Sequence, residues 1–92
     1  MSAVSQSSRP AISRRFRLQW EPAQNAHVLL YPEGMVKLNT SASEILKRCD
    51  GVRSIAEIVA DLEQAFNRTG LADDVDAFVV MAMQQGWVEL HT

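Results

Sequence analysis

One cysteine, two histidines and four isolated glycines leave this chain of 92 residues without the usual materials of a chemical site. Cys49 has no second thiol for an intramolecular disulfide or a C-x-x-C redox pair, and its place on an apolar stripe reads as core. His27 and His91 stand without ligand spacing around them, so a zinc site lacks donors. The scattered glycines give neither G-x-G-x-x-G nor G-x-x-x-x-G-K-[ST], and G-x-S-x-G is absent. No apolar run reaches the roughly 18 residues that a membrane span needs. A chain this short supports one modest core, with little room for an enclosed active site. These absences argue against an enzyme, a bound cofactor or metal, and a membrane protein. Met1 to Arg9 is polar and Ser-rich without the apolar segment of a signal peptide, so residues 1–9 read as a disordered arm, 10–92 as one domain, and the location as cytoplasmic.

Charge of one sign is also missing where it would matter most. Met1 to Arg53 holds eight Lys/Arg against four Asp/Glu, whereas Ser54 to Thr92 holds only Arg68 against seven acids. The last helical stretch, Leu71 to Gln85, has no Lys or Arg and carries Asp73, Asp74 and Asp76. Such a helix would be repelled by phosphates, which counts against a winged-helix nucleic-acid binder, the alternative that size and element order suggest. The three aspartates read as first-turn acids that complement the helix dipole.

The elements themselves are legible. Phe16 to Trp20 alternates large apolar with polar residues, as a strand does. In His27 to Asn39, HVLLYPEGMVKLN, two strands flank a Tyr31-Pro32-Glu33-Gly34 turn, with Pro32 presetting φ and Gly34 suiting the fourth position. Val28 and Leu30 are expected to share the inner face with Val36 and Leu38, leaving His27, Met35 and Lys37 on the other. Asn39, Thr40 and Ser41 are all competent caps, and Ser41 with Glu44 has capping-box spacing, as does Ser54 with Glu57. Ala42, Ile45, Leu46 and Cys49, then Ile55, Ile58, Val59, Leu62 and Phe66, then Leu71, Val75, Phe78, Val79 and Ala82 form three helical stripes. Trp87 to Leu90 reads as a final strand or a packed tail, with His91 in a frayed end. The reading is α+β and winged-helix-like: a three-stranded antiparallel sheet followed by a three-helix bundle.

A three-strand meander exposes two edges, and Met35 to Leu38 is the better one for adding a strand because it is short and nearly uncharged. Val80, Met81 and Met83 exceed what the third helix needs for its core stripe; Met81 and Met83 either line a groove beside that edge or fill core gaps. The same edge suits pairing with a second copy, as a homodimer through edge-strand pairing or as a strand-exchanged dimer.

HVLLYPEGMVKLN, SASEILKRCDG, DDVDAFV and GWVEL closely resemble the pyrroloquinoline quinone (PQQ) biosynthesis protein D family, PqqD, from about Arg9 to Leu90. The resemblance implies a small non-enzymatic peptide chaperone that recognises leader segments of ribosomally made, modified peptides. It implies binding of the precursor peptide PqqA and delivery to the radical S-adenosylmethionine enzyme PqqE, whose clusters and cofactor belong to that enzyme. It also implies a peptide lying between the third strand and third helix. Carried onto this chain, one wall is Met35, Val36, Lys37 and Leu38, and the other draws on Asp74, Phe78, Val79, Met81 and Met83. Lys37 and Asp74 would pair with charges on the peptide.

Overall fold

Pro32 and Glu33 turn the chain back on itself between Tyr31 and Gly34, and this two-residue connection sets the register of the central hairpin. In the structure, a computed structural model describing residues 4–91, the hairpin is β3 (Ala26–Tyr31) and β4 (Gly34–Lys37). Strand β1 (Arg9–Ile12) and strand β2 (Arg17–Glu21) precede it; helices α1 (Thr40–Leu46), α2 (Ile55–Ala65) and α3 (Ala72–Gln84) follow, and β5 (Val88–His91) ends the chain. Strands β2, β3 and β4 form an antiparallel meander in that order. Beyond the single sheet expected, β1 and β5 pair antiparallel as a second sheet, Arg9 opposite His91 and Ile12 opposite Val88. His91 is therefore a strand residue. The molecule is α+β, with three helices and two antiparallel sheets among the described residues.

The expected face assignment of the hairpin is corrected by its register. Leu29 pairs with Val36, Leu30 with Met35 and Val28 with Lys37. Directly opposite residues share a face. A two-residue turn between positions 31 and 34 always sets an even-numbered residue opposite an odd-numbered one. The inner face therefore carries Leu18, Leu29, Val36 and Leu38, with Leu29 and Leu38 buried in the main core cluster. Val28 and Leu30 fall on the other face; Val28 is nonetheless buried, apart from that cluster.

The rest of the core comes from Ile45, Leu46, Cys49, Ile55, Ile58, Val59, Leu62, Val75, Val79, Ala82 and Val88, one stripe from each helix plus the last strand. Burial raises the Cys49 thiol to about 12, with the neighbouring Asp50 charge adding to the shift, and its Sγ donates to the Ile45 carbonyl. Phe66, placed on the α2 stripe by periodicity, instead ends that helix and is 46% exposed. The capping box at Ser54 and Glu57 forms in both directions. At α1 the cap is Asn39, whose side chain accepts from the Ala42 N–H at 2.7 Å. Ser41 with Glu44 makes no capping box there, because helix α1 starts at Thr40 and Glu44 turns instead to Lys47 and Arg48.

Described residues at the start of the chain make defined contacts with the fold. Met1 to Ala3 lie outside the described residues. Val4 is buried in the core, and the carbonyls of Gln6 and Ser8 accept from the backbone N–H groups of Ala56 and Ile55 at the start of α2. Those first-turn donors have no intrahelical acceptor, so the N-terminal stretch satisfies them.

Candidate functional site: a groove between an edge strand and the third helix

Strand β4 is an edge of the meander, since among the described residues only β3 pairs with it. In an antiparallel ladder, alternate residues spend both backbone groups on the neighbour and the others point outward. The Leu38 N–H donates to the His27 carbonyl at 3.0 Å, which fixes Leu38, Val36 and Gly34 as the inward-bonded residues. Met35 and Lys37 therefore direct their N–H and C=O groups away from β3. Two donors and two acceptors stand in line on an unpartnered edge.

Beside that edge runs a groove of about 460 Å³. Val36, Lys37 and Leu38 supply the strand side, and Asp74, Phe78 and Met81 the helix side. Asn39, Ser41, Ala42 and Ile45, around the start of α1, and Trp87, just before β5, complete the lining. The strand side follows from register: Val36 and Leu38 face inward, so their flanks meet the groove while their bodies meet the core. Neither Lys37 nor Asp74 makes an ion pair among the described residues. An apolar trough with one free cation, one free anion and an open main-chain edge can hold an extended peptide. Among the described residues there is no group of three or more metal-ligating side chains.

Six of the nine residues named from the sequence are brought together here: Val36, Lys37, Leu38, Asp74, Phe78 and Met81. Three are not. Met35 is 45% exposed but lies on the opposite face of β4, so only its backbone addresses the edge. Val79 is fully buried in the core, and Met83 packs against that core. Helix geometry explains the division. At about 100° per residue, Phe78 and Met81 fall within about 40° of Asp74, whereas Val79 lies about 140° and Met83 about 180° away. Asn39, Ser41, Ala42 and Ile45 went unnamed because each reads first as a cap or core residue, and Trp87 because it reads as the start of a final strand or packed tail. Their signal was position alone, since a chain leaving β4 for α1 must run alongside the groove.

A family model for coenzyme PQQ synthesis protein D (PqqD) matches residues 26–88, from the first residue of β3 to the first of β5. The chain belongs to the PqqD family. Curated PqqD-family relatives named PqqA binding protein include one from Azotobacter vinelandii, 54% identical over 99% of this chain and 100% of its own length. Another, from Pseudomonas aeruginosa, is 55% identical over the same shares, and one from Klebsiella pneumoniae is 51% identical over 85% of this chain and 86% of its own. Among solved structures, the solution NMR structure of the PqqD portion of Methylobacterium extorquens PqqCD aligns with a TM-score of 0.73 at 28% identity, covering 96% of both chains. That PqqD is described as a functional, stand-alone recognition element for ribosomally synthesised and post-translationally modified peptides.

Proposed function

We propose that this member of the PqqD family binds the precursor peptide PqqA as an added strand on β4 and presents it to the radical S-adenosylmethionine enzyme PqqE. The observation that carries the reading is the outward pair Met35 and Lys37 on a free edge, alongside a groove of about 460 Å³. Main-chain pairing would give affinity, and the groove's side chains would give selectivity. The names of the relatives, PqqA binding protein, support the ligand. The partner enzyme rests on the family resemblance. The role is one of binding, with the cofactor chemistry left to PqqE. A winged-helix-like description suits the hairpin and its three helices, and a cytoplasmic setting suits a chain whose one thiol is buried and unpaired.

Isothermal titration with synthetic PqqA is the test. The parent protein should bind saturably at about one to one. Lys37→Pro removes an outward N–H while sparing the bonds that hold β4 to β3, and should weaken binding at least about fivefold, the loss of one hydrogen bond. A folded Lys37→Pro variant with parental affinity would move the site off this edge. Pairing of β4 with a second copy would occupy the same groups, so any homodimer formed this way should dissociate as PqqA is added, readable by sedimentation velocity.

A further inference from the structure

Beyond the end of β4 the groove does not close. A second hollow of about 390 Å³ opens between the start of α1, the end of α2 and the start of α3, and Ser41, Ile45 and Asp74 line both. Its floor is apolar: Ile45, Leu62, Leu71 and Val75 are all core-cluster residues or packed against that cluster. Its rim carries Phe66, a large aromatic left 46% exposed where α2 ends, and Arg68. Arg68 is the only cation between Ser54 and Thr92 and forms no ion pair among the described residues. The other acid on the rim, Glu44, is already engaged by Lys47 and Arg48, which hold its carboxyl below the usual range.

We infer that this hollow is a second subsite for the same peptide, taking an apolar or aromatic side chain from the flank of the docked strand, with an acidic neighbour paired to Arg68. The inference rests on the strand-docking reading, because continuity through Ser41, Ile45 and Asp74 is what delivers the flank there. The free charges then run in a fixed order along the surface: Lys37, Asp74, Arg68. An extended peptide crossing it in register would present acid, base, acid. An aromatic exposed over an apolar floor is costly for a monomer to leave in water and is the kind of feature that anchors ligands. Asp74, shared by both hollows, keeps the two cations from acting as one undifferentiated positive patch.

The test uses the full chain with synthetic PqqA and the variants Phe66→Ala, Arg68→Ala and Lys37→Pro, each first checked for an intact amide spectrum. Phe66→Ala should weaken binding roughly fivefold or more, as expected for an exposed anchor. Arg68→Ala should weaken it about threefold, with a shallower dependence on salt. Replacing each acidic residue of the peptide by its amide should reveal one whose effect vanishes in Arg68→Ala. Parental binding by Phe66→Ala and Arg68→Ala, with binding weakened in Lys37→Pro, would overturn the subsite and leave strand docking standing. Parental binding by all three variants would remove both.

Discussion

Cys49 shows how a single side chain can be chemically silent by position. It sits inside the core with its Sγ donating to the Ile45 carbonyl, and burial pushes the thiol up to about 12. Thiolate is the reactive form, so both access and ionisation are withheld. The native protein should therefore leave a thiol-specific colour reagent unreacted at pH 8, and release one equivalent only once denaturant unfolds it; prompt labelling of the native state would contradict the packing. Gly51 makes the complementary point for backbone. It holds φ at +78°, and a Cβ there would come within 2.7 Å of the His91 ring and 3.3 Å of Ala11. Here the loop after α1 slips past the β1–β5 sheet, the Gly51 N–H donating to the Pro10 carbonyl.

At the level of elements, the caps separate what local pattern can decide from what it cannot. Ser54 and Glu57 satisfied the capping-box pattern and form one; Ser41 and Glu44 satisfied it equally and do not. Three competent caps in a row leave the helix start undetermined, and the hairpin decides it by ending at Leu38, with Asn39 next in line. Ser54→Ala and Asn39→Ala should each cost about 1 kcal/mol in urea unfolding. Ser41→Ala should stay within about 0.5 kcal/mol, as an exposed position without a cap bond does. A loss at Ser41 matching that at Asn39 would mean that α1 begins later than described. The hairpin faces were misread for a related reason. Both strands and the turn were legible, but which residues share a face depends on the parity that the two-residue turn imposes, and a one-residue error reverses every side chain. The α3 wall was legible in principle. Asp74, Phe78 and Met81 share a stripe that angular spacing separates from Val79 and Met83, whereas the residues contributed by the start of α1 and by Trp87 become visible only once the elements are assembled.

For the molecule as a whole, the acidic second half and basic first half meet at specific points. Arg48 pairs with Asp61 across the α1–α2 contact and with Glu44 within one turn. The Lys47 and Arg48 hydrogen bonds hold Glu44 below its usual range, and that of Arg48 does the same for Asp61. Backbone N–H groups of Arg53 and Val52 lower Asp50, and the Ser54 cap lowers Glu57. Each carboxyl is thus more acidic folded than unfolded, so its contribution is complete above the ordinary carboxylate range and is lost as pH falls through the lowered values. Thermal stability should hold steady from neutrality to about pH 5 and then decline progressively below about pH 4, less steeply in high salt. A melting temperature unchanged down to about pH 2.5 would show these pairs to be inert. The same partition of charge keeps α3 free of Lys and Arg and leaves Lys37, Asp74 and Arg68 without ion pairs among the described residues.

The central claim is that the β4 edge and the α3 groove receive PqqA, and an amide-resolved titration of the labelled protein with that peptide tests it most directly. Peptide addition should perturb Met35, Val36, Lys37 and Leu38 together with Asp74, Phe78 and Met81, and should protect the Met35 and Lys37 amides from hydrogen exchange. Perturbations confined to the β1–β5 sheet or to the β2 edge, with Met35 and Lys37 exchanging as fast as in the free protein, would contradict it.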